Sequence, residues 1–167
     1  LPSTVSPEHY TLKFDIDLAR ARFTGDETIA VTVGEPTNRI VLNAVEITFA
    51  EVTVESQGRR QRATVTTTDQ LALLTVPQTL AAGPASIHVA YTGVLNSKLR
   101  GLYLSQANGR RYVISQMEST DARRAFPGFD EPAFKATYDI SATIDEGDMA
   151  ISNGRVISDV PGPGANR

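Results

Sequence analysis

Tyr10, Leu12, Phe14, Ile16 and Leu18 alternate with Thr11, Lys13, Asp15 and Asp17. A period of two puts every second side chain on the same side, so this stretch can bury one face and wet the other only as a β-strand. Ile29, Val31 and Val33 repeat the pattern after Gly25, and Gly34 and Pro36 close it. Further strands are expected at 39–42, 47–55, 63–67, 71–76, 87–92, 102–105, 112–118, 135–144, 149–152 and 156–158. The dividers between them are turn pairs such as Gln57-Gly58, Thr68-Asp69, Asn108-Gly109, Glu146-Gly147 and Asn153-Gly154. About a dozen short strands at this spacing predict an all-β, mostly antiparallel sandwich or open barrel. The one plausible helix is a turn or two near 120–126, stopped by Pro127.

The 167 residues suffice for one domain with a sizeable core, and a hydrophobic fraction of 41% is ordinary for a globular chain. Sixteen basic and nineteen acidic residues leave a formal charge of −3. No basic run is present to neutralise a phosphate backbone, which argues against a nucleic acid partner. No apolar run is long enough for a helical membrane span. Cysteine is absent, which removes disulfides, thiol nucleophiles and thiolate metal sites but leaves the compartment open. The start at Leu1 and the turn-rich 161–167 segment suggest one β domain over 1–160, followed by the start of a connector.

Residues 116–135 break the strand pattern. They hold seven charged residues, two prolines and three phenylalanines without a period of two. Such a segment suits an ordered, ion-paired corner on which a functional surface can be built. Gln116 and Glu118 lie at the end of an expected strand, two apart, and so would share a face. A carboxylate beside a carboxamide offers one negative charge, acceptors and amide donors, a set that fits an ammonium group flanked by a peptide carbonyl. On spacing alone, the ordinary reading of the pair, a polar strand end, is the favoured one. Asp121, Arg123, Arg124, Asp130, Glu131 and Lys135 read as scaffolding in which arginine forks bind carboxylates. Phe126, Phe129 and Phe134 would anchor the corner in the core.

His9 and His88 are the only histidines, and both read as solvated side chains. Without cysteine or a His-Glu-x-x-His motif, no zinc site and no cofactor site is expected within the chain. No glycine-flanked nucleophile and no phosphate loop is present either, so the chain by itself holds no catalytic residues.

Gln116-x-Glu118, Asp121-Ala122-Arg123, Pro127-x-x-Asp130-Glu131-Pro132 and Lys135 closely resemble the signature of the aminopeptidase N / leukotriene A hydrolase family of zinc metallopeptidases. His9-Tyr10, Phe23-Thr24-Gly25, Gly101-Leu102-Tyr103 and Ile151-Ser152-Asn153-Gly154 fall in the family's order, so the likeness covers nearly the whole chain. The resemblance implies a saddle-shaped β domain that precedes a zinc-bearing catalytic domain absent from this sequence. It implies that Glu118 holds the α-amino group of a peptide substrate and that Gln116 orients its first residue. Peptide N-termini and the downstream catalytic domain are then the expected partners, with zinc in the full-length enzyme and no activity in this piece alone. Gly128 departs from the cysteine that many members carry, which touches packing rather than function. A non-catalytic β-sandwich that binds peptides or proteins is the alternative, separated from the first reading by whether a zinc motif follows downstream.

Overall fold

A computed structural model describes residues 1–162; the remainder of the expected 161–167 connector lies outside the described residues. The described residues form eleven strands and one 3-10 turn. Six strands make the main sheet, in the order β11-β1-β2-β8-β4-β5. These are β11 (Thr137–Thr143), β1 (Val5–Asp17), β2 (Arg22–Val33), β8 (Gly83–Val94), β4 (Ile47–Ser56) and β5 (Arg59–Arg62). A second sheet of three strands runs β3 (Thr37–Asn43), β7 (Leu71–Leu80) and β6 (Thr64–Thr68). β9 (Gly101–Ala107) and β10 (Arg110–Gln116) pair as a separate hairpin. Every pairing is antiparallel except β1 with β11, and no sheet closes into a barrel. The all-β, mostly antiparallel expectation therefore holds.

The clearest alternation lies in β2. Phe23, Gly25, Glu27, Ile29, Val31 and Val33 are buried, while Arg22, Thr24, Asp26 and Thr28 between them are exposed. Strand pairing sets Tyr10, Leu12 and Phe14 of β1 opposite Ile29, Glu27 and Gly25, which in turn face Ile87, Val89 and Tyr91 of β8. Ile40 and Leu42 of β3 and Leu74 and Val76 of β7 join the same apolar cluster, so the core is a layer shared by the two sheets.

Two glycines in that layer make room for rings. A Cβ on Gly25 would fall 2.1 Å from Cζ of Tyr91, and one on Gly93 would fall 2.2 Å from Cζ of Phe23. Each ring thus lies across a glycine of the neighbouring strand, and the two rings meet edge to face at 6.4 Å.

Strand ends differ from the sequence expectation where local chemistry intervenes. β1 begins before Tyr10 because the register shift between Pro7 and His9 accommodates the proline. β7 runs past Pro77, which lies in the stretch between Thr75 and Leu80 where pairing with β3 is interrupted. β5 was not anticipated; Gln57 and Gly58, at φ +52° and +73°, reverse the chain into it as a tight hairpin. The strands expected at 149–152 and 156–158 are absent from the structure. Ile151 and Ile157 there are 88% and 86% exposed: alternation alone makes no strand without a neighbour to complete its hydrogen bonds. The expected short helix is the single 3-10 turn Ala122–Arg124.

Candidate functional site

The corner over residues 117–135 is held by backbone and side-chain bonds from four directions. Asn43 and Gly128 exchange both backbone bonds, at 2.7 and 3.0 Å, and the Asn43 side chain accepts the amide of Asp130 at 3.1 Å. Arg123 is buried, and each of its three guanidinium nitrogens makes a hydrogen bond. Its Nε donates to Asp130 Oδ2 at 2.8 Å, Nη1 to Gln70 Oε1 at 2.7 Å and Nη2 to the Asp130 carbonyl at 2.9 Å. Its own carbonyl accepts the amide of Val45 at 2.9 Å. The planar fork therefore ties the corner to the turn before β7, and the Arg123 carbonyl ties it to the segment after β3.

Arg124 faces the other side. Its Nε reaches Asp121 at 2.8 Å and its Nη1 reaches Glu46 at 2.9 Å, while Glu46 also meets Lys98 at 3.5 Å. Its side chain passes over Gly101, where a Cβ would fall 2.5 Å away, and this packing presses the β9 end of the hairpin against the corner. Two buried tyrosines complete the attachment to the main sheet. The Tyr91 hydroxyl donates to the Ala125 carbonyl at 3.1 Å, and the Tyr10 hydroxyl accepts the Phe129 amide at 3.0 Å. Burial pushes the ionisation of both hydroxyls far above the ordinary tyrosine range, so both stay neutral in water.

Phe129 is buried, and Phe126 and Phe134 pack against the core at partial exposure. Gly128 sits beside the Tyr10 ring, with Tyr10 Oη 3.2 Å from the position a Cβ would take. The glycine at this place therefore belongs to the packing of Tyr10.

Gln116 closes β10 opposite Gly101. Glu118 lies beyond the strand, contrary to the expectation of a strand through 118. The Met117 carbonyl is taken by the Asp121 amide at 2.9 Å, which turns the chain away from the sheet. The period-two argument for a shared face therefore stops at Gln116. Both side chains are exposed on the same short segment, two residues apart. Among the four carboxylates of residues 116–135, Asp121 pairs with Arg124, Asp130 with Arg123 and Glu131 with the Leu1 amino group. Glu118 has no hydrogen bond or ion pair among the described residues. Lys135, expected in the charge network, is exposed and stays outside it.

The histidines face solvent, each beside an aspartate: His88 lies 2.9 Å from Asp26, and His9 lies 3.3 Å from Asp139. Among the described residues, no group of three or more His, Cys, Asp or Glu side chains could hold a metal ion. No described helix is long and apolar enough to cross a membrane.

One buried ionisable group was not anticipated. Glu27 is 0% exposed, and neither carboxyl oxygen has a hydrogen-bond partner in the protein. Burial, and secondarily the charge of Asp26, push its carboxyl well above the usual range. The signal was in the sequence, because Glu27 is in phase with Phe23, Ile29 and Val31.

The described residues thus form an open β domain whose ion-paired corner presents one unpaired carboxylate, Glu118. Residues 6–166 match the Peptidase M1 N-terminal domain, and the chain belongs to that family. It is 36% identical to aminopeptidase M1-B of Oryza sativa subsp. japonica over 98% of its own length and 19% of that protein's. Against aminopeptidase N of Acetobacter pasteurianus the identity is 33%, over 96% of this chain and 46% of the relative. Against the puromycin-sensitive aminopeptidase of Caenorhabditis elegans it is 35%, over 96% and 18%. The chain thus spans less than half the length of each of these relatives. M1 aminopeptidases are zinc enzymes, and the side chains described above do not offer a zinc site.

Proposed function

We propose that this domain supplies the amine anchor of an aminopeptidase, with Glu118 receiving the α-ammonium group of a peptide and Gln116 orienting the first residue. The observation that supports it best is the unpaired state of Glu118 in a corner where the other carboxylates are engaged. A carboxylate held by a rigid backbone and left without a cation is ready to take one from a ligand. A charge-assisted bond of this kind contributes roughly 1.5–3 kcal/mol. An internal peptide bond has no ammonium to offer, so the anchor selects chain ends and fixes which peptide bond is presented for cleavage. Cleavage itself, and the zinc it needs, belong to a catalytic domain elsewhere in the polypeptide; this domain alone is inactive.

The aminopeptidase names of the relatives support this reading, and the exposed apolar side chains on and after β11 support docking to such a domain. In the intact polypeptide, Glu118→Ala should lower kcat/KM on a free-amine aminoacyl substrate by about ten- to several-hundred-fold. Gln116→Ala should cost less, because no full charge is lost. An unchanged kcat/KM for Glu118→Ala would remove the assignment.

A further inference from the structure

Glu27 sits at the centre of a small apolar grid. Leu12 and Val89 are directly opposite it on the flanking strands, and Gly25 and Ile29 precede and follow it along the same face. Its diagonal neighbours include Tyr10 on β1 and Tyr91 on β8, and side chains at such diagonals lie within reach of one another. These are the two tyrosines whose hydroxyls hold Phe129 and Ala125 of the corner.

The titratable groups acting on or beside Glu27 are few. Asp26 on its own strand points outward, Tyr10 comes from β1, Tyr91 from β8 and Tyr138 from β11. The residues of β3 and β7 in the core cluster are apolar. In the corner, Arg123 and Asp130 are closed on each other. No cation therefore stands ready to pair with a Glu27 carboxylate.

We propose that Glu27 is a proton-operated latch beneath the corner: neutral, it leaves Tyr10 and Tyr91 fastened to residues 129 and 125; ionised, it draws the Tyr91 hydroxyl away from Ala125 and loosens the corner. On ionisation the carboxyl O–H bond breaks and its proton passes to solvent water. The remaining buried carboxylate needs hydrogen-bond donors. Its diagonal neighbours supply two, and burial keeps both protonated. The Tyr10 oxygen accepts from Phe129, which leaves its hydrogen free to turn towards the carboxylate, whereas the Tyr91 hydrogen must leave Ala125 to do so. The corner continues into Glu118 through the bond from the Asp121 amide to the Met117 carbonyl, so the latch sets how firmly that segment is held. This stands apart from any role of Glu118 with substrate.

The test is amide hydrogen exchange of residues 121–130 in the intact polypeptide from about pH 5 to about pH 9, corrected for intrinsic base catalysis. Wild-type exchange should rise by up to about tenfold per pH unit over the range in which Glu27 ionises, and Glu27→Gln should be flat. Tyr91→Phe should raise corner exchange already at acid pH. A second readout needs no folded variant: the wild-type infrared spectrum at neutral pH should hold a protonated carboxylic acid band that fades as the pH rises. Parallel pH profiles for wild type and Glu27→Gln, unchanged corner exchange in Tyr91→Phe, or no protonated acid band at neutral pH would each overturn the latch.

Discussion

At the scale of single residues, Glu27 and Gly25 show how one strand face carries both tight packing and stored instability. Because burial raises the folded carboxyl of Glu27 above its unfolded range, the unfolded chain releases this proton first as pH rises. Its contribution to stability is therefore intact at acid pH and falls as pH climbs towards the raised folded value, by about 1.4 kcal/mol per pH unit. Glu27→Met, similar in volume and without the orphan oxygens, should stabilise the fold at neutral pH by about 1–4 kcal/mol, with a smaller gain in acid. Chemical denaturation at the two pH values measures it, and a loss of stability at neutral pH would mean that the carboxyl is not a burden. The alternation of β2 already placed this residue inward; its polar type hid it. The partnerless state of Glu118 was equally hidden, since it depends on which carboxylates the two arginines take, and that is settled by contacts with Gln70 and Glu46 far away in sequence.

At the scale of elements, most strands and the turns at Gln57-Gly58 and Asn108-Gly109 were legible because both are local, whereas the strands expected on either side of Asn153-Gly154 did not form, and β5 was missed. Asn108 and Gly109 take φ values of +52° and +76° and reverse the chain between β9 and β10 as their identities require. The pairing of rings with glycines was not legible, because it joins residues from β2 and β8 some seventy positions apart. It makes Gly25 a sharp probe of the main sheet. Gly25→Ala drives a methyl into the Tyr91 ring and should destabilise by about 1–3 kcal/mol, while also weakening the Tyr91 bond to Ala125. Gly34→Ala meets only the Thr4 carbonyl at 3.5 Å and should be near neutral. Thermal denaturation of the two variants decides this, and equal stability would mean that the ring can move aside without loss.

For the whole molecule, the asymmetry of the main sheet is the informative feature. On one side it ends in β5, a four-residue edge with Arg59, Arg60 and Arg62, short and charged as protected edges are. On the other it ends in β11, where Tyr138 and Ile140 lie exposed although Tyr138 stacks on the buried Tyr10 at 4.9 Å. Beyond β11, Met149, Ile151, Val156, Ile157 and Val160 are exposed as well. Apolar side chains concentrated at one edge and in the adjoining segment mark a surface made to be covered. If the covering body is the catalytic domain proposed above, residues 144–160 should be cut readily by a nonspecific protease in the 167-residue chain and resist it in the intact polypeptide. Ile140→Lys should then abolish that resistance while leaving thermal stability of the 167-residue chain nearly unchanged, since the side chain there is already in water. Equal cleavage in both contexts would place the covering surface elsewhere, and the exposed edge would have to be explained by the β domain alone.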